Sequence, residues 1–144
     1  MPNLNVLLVD DDSEESYLFN EALEHAHLKI VLSRATDGND LINYLHSKPA
    51  PDLVFMDLNM PYKDGLEALT EIRSNLKFKR LPLIIYSTTK NEDSINACYE
   101  KGADMFVIKP SDFDELMQVV EKVCRYDWKN YKKPSRENFV IAAE

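Results

Sequence analysis

Five short apolar runs, each followed by an amphipathic helical stretch, restrict this chain to very few folds. Residues 4–9 are apolar apart from Asn5, and residues 30–35, 53–56, 83–86 and 105–108 repeat the pattern. A strand written as an almost continuous apolar run is buried on both faces, which parallel sheets with helices on both sides require. The stretches between the runs carry the helical period. Residues 13–25 place Leu18, Phe19, Ala22, Leu23 and the adjoining Ala26 on one face, and residues 38–45 do the same with Leu41, Ile42 and Leu45. The later stretches carry Leu66, Leu69 and Ile72, then Ile95 and Cys98, then Leu116, Met117, Val120 and Val123. Ser13, Asn91 and Ser111 are expected N-caps, and Glu14 and Glu15 suit the positive end of a helix dipole. A β-α unit repeated five times, with right-handed crossovers, implies an α/β doubly wound parallel sheet with five helices.

Residues 126–144 stand outside this alternation. They are aromatic and basic and are interrupted by Pro134. The expectation is one α/β domain over residues 1–125, then a helix extension and partly ordered tail over 126–144, with no output domain. The tail's Lys129, Lys132, Lys133 and Arg136 follow Arg125 and alternate with Tyr126, Trp128, Tyr131 and Phe139. They are expected to pack on an acidic surface of this domain or of a neighbouring subunit, so a homodimer stays open.

Charge narrows the partners. The net charge of −8 argues against nucleic acid. From Arg125 onward the charge is +2, so the first 124 residues carry −10. No apolar run approaches the roughly 18 residues of a membrane span, and the first residues lack a signal peptide's basic region and cleavage site. A cytoplasmic protein with two reduced, buried thiols at Cys98 and Cys124 is expected.

In an open parallel sheet the site lies beyond the carboxyl ends of the strands. The polar residues there are Asp10, Asp11 and Asp12 after strand 1, Asp57 and Asn59 at strand 3, Ser87 and Thr88 at strand 4, and Lys109 with Pro110 at strand 5. One like-charged pair at ~4 Å costs about 4 kcal/mol at an effective dielectric of about 20. A hard divalent cation removes that cost, and Mg2+ takes one or two carboxylates plus phosphate oxygens. Lys109 is a point-charge partner for phosphate, and the Ser87 hydroxyl can donate to a phosphoryl oxygen. A carboxylate nucleophile, a metal, a lysine and a hydroxyl donor make a phosphoryl-transfer site. Taken singly, Asp10 and Asp11 read equally well as helix caps and Lys109 as a solvated lysine; their conjunction at strand ends favours the functional reading.

The segments VLLVDDD, PDLVFMDLNMPYKDG, LPLIIYST and GADMFVIKP, in this order and spacing, resemble the response-regulator receiver domains of the CheY-like family over about residues 4–125. The resemblance implies a five-stranded sheet of order 2-1-3-4-5. It implies that Asp57 is the phosphoacceptor and that Asp10, Asp11, Asp57 and the Asn59 backbone carbonyl hold Mg2+. It makes Ser87 the switch hydroxyl, Phe106 the switch aromatic, Lys109 the phosphate-binding lysine and Lys109–Pro110 a cis bond. It also implies a sensor histidine kinase or histidine phosphotransfer protein as donor, and a downstream protein that reads the face of helix 4, strand 5 and helix 5. On this reading Phe106 turns inward when Asp57 is phosphorylated, and the chain is a switch rather than an enzyme. Phe106 stands where tyrosine is common in the family, Thr88 where alanine is common, and Asp12 has no assigned part.

Two other functions compete for these residues. A haloacid-dehalogenase-like phosphatase would use Asp10, Asp12, Ser87 and Lys109, but Glu14 departs from its usual Thr or Val and Asp57 would have no part. A binding module that is never phosphorylated would not need the full set of acids, hydroxyl and amine.

Overall fold

Successive residues of a strand point to opposite faces, and in the computed structural model, which describes residues 4–142, this divides the core in two. The elements are β1 (Leu4–Val9), α1 (Ser13–Glu24), β2 (Ile30–Ala35), α2 (Gly38–Ser47), β3 (Leu53–Asp57), α3 (Gly65–Arg73), β4 (Leu83–Ser87), α4 (Glu92–Glu100), β5 (Met105–Ile108), α5 (Phe113–Cys124) and β6 (Val140–Ile141). On one face Leu7, Val9, Val54, Met56, Ile85 and Phe106 pack with the apolar residues of α2, α3 and α4. On the other, Val6, Leu8, Phe55, Ile84, Tyr86 and Val107 pack with those of α1 and α5. The sheet is parallel throughout, in the order β2-β1-β3-β4-β5-β6. The doubly wound fold is therefore as expected, with a sixth strand added at the edge of β5. Leu18, assigned to the inward face of α1, is instead half exposed.

The helix starts differ by one residue from expectation at two places. Asp12, not Ser13, caps α1 by accepting from the Glu14 and Glu15 N–H groups, which also assigns Asp12 a part. Asp112, not Ser111, caps α5. In both pairs the carboxylate out-competes the neighbouring hydroxyl for the positive end of the helix. Asn91 caps α4 as expected, and Gly102 follows it with φ 105, a conformation that side chains disfavour. Every peptide bond among the described residues is trans, Lys109–Pro110 included; trans is the lower-energy form of an X–Pro bond, and this turn closes without the other isomer.

The expected helix extension is absent. The Trp128 indole N–H donates to the Val123 carbonyl at 3.0 Å, closing the end of α5. The chain then runs back across the end of the sheet, where the Tyr131 hydroxyl donates to the Asp104 carbonyl at 2.9 Å and the Tyr99 hydroxyl to the Pro134 carbonyl at 3.2 Å. Arg136 bonds Asn96 at 2.6 Å and Glu92 at 2.7 Å on α4. Phe139 is fully buried against Tyr99 and Phe106, and β6 pairs with β5. Pro134 cannot continue a helix, and burying these aromatics rewards an extended path. The acidic surface expected for the tail is this domain's own α4.

Candidate functional site

Register brings the polar strand ends together. Val9 lies beside Met56, Asp57 beside Tyr86, and Ser87 beside Ile108, so Asp10, Asp57, Ser87 and Lys109 emerge on one rim. Oxygens of Asp10, Asp11 and Asp57 lie within 4.8 Å of one another. Asp10 is fully buried and Asp57 is 7% exposed, whereas Asp11 faces solvent. Asp10 Oδ1 accepts from the Asp12 N–H at 2.9 Å, but Asp10 Oδ2 is buried with no hydrogen-bond partner. A buried unpartnered carboxylate oxygen is costly, and here it faces two more carboxylates. Hard oxygen donors around an orphaned acceptor fit a divalent cation. Asn59 is exposed, and its N–H donates to Asp57 Oδ1 at 3.2 Å, which holds the loop after β3 against the acid.

The ammonium of Lys109 lies 3.3 Å from Asp57 and 3.9 Å from Asp10. Its shortest contact is to Glu15 on α1, at 2.6 Å. It also sits 5.1 Å from the centre of the Tyr86 ring. Burial by itself would lower the Lys109 value, but the bond to Glu15 and the charges of Asp57, Asp10 and Glu15 together raise it. Burial pushes Asp10 up to about 7, opposed by the Asp12 N–H and Lys109 and reinforced by Glu15. Burial raises Asp57 as well, with Lys109 opposing. Ser87 is fully buried, and its Oγ accepts from the Thr89 N–H at 3.2 Å, leaving the hydroxyl hydrogen available to a ligand oxygen. Thr88 lies exposed beside it.

Gly65, the first residue of α3, shapes the rim from below. Its N–H donates to the Leu58 carbonyl at 2.9 Å, and a Cβ there would stand 2.6 Å from the Asp57 carbonyl oxygen. Phe106, expected to turn inward on phosphorylation, is already fully buried, with Phe139 packed across it.

The family model of the response regulator receiver domain matches residues 6–121. The chain belongs to this family. Among similar proteins, the response regulator Rcp1 of Synechocystis sp. is 32% identical over 124 residues, covering 82% of this chain and 84% of Rcp1. The crystal structure of the Mn2+-bound form of Rcp1 superposes with a TM-score of 0.78 at 30% identity, covering 92% of this receiver and 99% of that chain. The phosphorylated cyanobacterial phytochrome response regulator RcpA superposes with a TM-score of 0.81, also at 30% identity, covering 93% and 100%. This receiver thus has the CheY-like fold of two-component response regulators and works as a phosphorylation-dependent signalling switch. Its acidic rim brings three carboxylates within one cation's reach, and the superposed Rcp1 structure is a Mn2+-bound form.

The expected residues Asp10, Asp11, Asp57, Ser87 and Lys109 all converge. Reading the sequence missed Glu15. Its signal was its place in the first turn of the helix that leaves the acidic pair, which brings its carboxylate to Lys109 at the rim.

Proposed function

We propose that Asp57 of this receiver accepts a phosphoryl group from a histidine kinase or histidine phosphotransfer protein in a Mg2+-dependent reaction. The observation that carries the reading is the meeting of Asp57 with two further acids and with the Lys109 ammonium 3.3 Å away. Asp10, Asp11, Asp57 and the Asn59 carbonyl would hold Mg2+, which when bound supplies positive charge to the phosphoryl oxygens. An Asp57 carboxylate oxygen attacks phosphorus in line. The O–P bond forms as the N–P bond of the donor phosphohistidine breaks, and that bonding pair returns to the imidazole nitrogen. Lys109 neutralises charge on the transferred group, and Ser87 donates its hydroxyl to a phosphoryl oxygen.

The consequence runs through β4 and β5. Movement of Ser87 toward the phosphoryl group displaces the loop after β4, and Phe106 shifts with it. Because Phe139 lies on Phe106 and β6 covers the edge of β5, the tail moves too, and the face of α4, β5 and α5, with the tail seated on it, is presented differently to a downstream protein. Phosphoryl gain and loss at Asp57 are the chain's own chemistry, so it is a switch and not an enzyme with an external substrate. We place it in the cytoplasm, a reading supported by two buried free thiols and by the finding that no helix among the described residues is long and apolar enough to cross a membrane.

The test is incubation with acetyl phosphate, with and without Mg2+, read as mass added to the intact chain. Incorporation that needs the metal and disappears in Asp57→Asn is expected. An unlabelled wild-type chain would point to a binding module instead, and label persisting in Asp57→Asn would overturn the assignment of the acceptor.

A further inference from the structure

We infer that Glu15 is a resident counter-ion that holds Lys109 until a phosphoryl group displaces it, and so sets how readily the rim accepts an anion. The inference rests on the phosphoryl-transfer reading of this site and adds a positioning residue to it. Three carboxylates compete for one ammonium: Glu15 at 2.6 Å, Asp57 at 3.3 Å and Asp10 at 3.9 Å. Only the first distance is that of a strong charge-assisted hydrogen bond. The Lys109 side chain is 9% exposed, so its choice of partner is made largely out of solvent.

The three rivals differ in what else holds them. Asp57 is engaged by the Asn59 N–H and Asp10 by the Asp12 N–H. Both face the cation site and cannot leave it. The Glu15 carboxylate makes one hydrogen bond among the described residues, to Lys109, while its charge also bears on Asp10, and its side chain is 39% exposed. It therefore gives up Lys109 at low cost, because water can solvate the freed carboxylate.

Two effects follow with the same sign. While Glu15 holds Lys109, the amine is partly withheld from the position where phosphoryl oxygens arrive. The Glu15 carboxylate also adds a negative charge beside an incoming anion. Neutralising it should free the amine and lessen the repulsion together. The pair is partly solvated, so the effect is that of an exposed ion pair, roughly a two- to fivefold change in anion affinity.

The experiment measures the apparent affinity for beryllofluoride in the presence of Mg2+, in the full chain, for wild type, Glu15→Gln and Glu14→Gln. Glu14 stands on the same helix turn and is exposed, and its carboxylate makes no hydrogen bond or ion pair among the described residues, only its backbone N–H bonding the cap Asp12. Tighter binding by about two- to fivefold in Glu15→Gln, with Glu14→Gln unchanged, is the expected result. Nitrogen-detected NMR of the Lys109 ammonium in metal-free protein supplies a readout that needs no ligand. Its signal should move in Glu15→Gln and stay in place in Glu14→Gln.

Unchanged or weaker beryllofluoride binding in Glu15→Gln overturns the inference, and equal tightening in both variants reduces it to net charge and overturns it as well. A wild-type chain that binds no beryllofluoride would instead sink the phosphoryl-transfer reading, while the ammonium signal would still decide whether Glu15 holds Lys109.

Discussion

The rim is crowded enough that a single methyl group reaches the proposed phosphoacceptor. A Cβ at position 65 would lie 2.6 Å from the Asp57 carbonyl and 2.8 Å from Leu58 Cα, both backbone atoms that cannot rotate away. Gly65→Ala should therefore cost about 1–3 kcal/mol in a denaturant melt, the range of an overpacked site. It should also slow phosphorylation by acetyl phosphate, because Asp57 and the start of α3 must part. A melt and a rate equal to wild type would show that the loop yields freely. Asp10, Asp11, Asp57, Ser87 and Lys109 were all legible in the sequence, since a parallel sheet sends every strand's carboxyl end to the same rim. Glu15 was not, because an acid in the first turn of a helix is explained by the dipole alone. That it meets Lys109, 94 residues away, depends on how α1 packs across the sheet.

At the scale of elements, the five β-α units were readable because a strand buried on both faces must be written as an apolar run. The sixth strand was not, since Val140–Ile141 is two residues long and carries no period. What holds it is tertiary: Phe139 fills a place between Tyr99 and Phe106, with ring centres 5.0 Å and 6.3 Å away. Phe139→Ala should cost about 3–5 kcal/mol, as for other buried Phe truncations, and should expose the edge of β5 to pairing with another chain. A denaturant melt joined to light scattering checks both; loss of less than about 1 kcal/mol would mean that the tail rests on the domain without being part of its core. The amino ends of β4 and β5, away from the rim, have their own fastening. Arg73 on α3 donates to the Gly102 and Phe78 carbonyls and pairs with Asp104 at 2.8 Å, and Asp104 also accepts from the Leu83 N–H. Burial lowers the Arg73 value and raises that of Asp104 in spite of their attraction, so desolvation is the larger force at this pair. Replacing one partner strands the other, and Arg73→Ala should lose about 3–5 kcal/mol. A loss under about 1 kcal/mol would mean that water replaces the guanidinium readily.

For the whole molecule, the acids of the rim make stability depend on pH and metal together. Asp10 is held at about 7 in the folded chain, chiefly by burial, against an ordinary value of 3.8, and Asp57 is shifted in the same direction. A carboxyl raised by folding keeps its proton in the native state after the unfolded chain has released it. Its contribution to stability is therefore fully present below about pH 4 and is lost as pH climbs through about 7. In chelator the melting temperature should fall across that window, by an amount on the order of a few kcal/mol in free energy. A divalent ion takes the ionised acids as ligands, so its stabilisation grows as those acids lose their protons. At about a hundredfold excess over its dissociation constant it returns about 2.7 kcal/mol. The Mg2+-induced rise in melting temperature should accordingly be larger at pH 8 than at pH 5. Asp10→Asn and Asp57→Asn remove one buried charge each. Both should melt higher than wild type in chelator at pH 8, with a flatter pH slope and a smaller response to Mg2+. Melting curves of the three proteins at the two pH values, in chelator and in Mg2+, decide the matter. If the variants melt lower than wild type in chelator, the acids are not in strain and Lys109 already balances them.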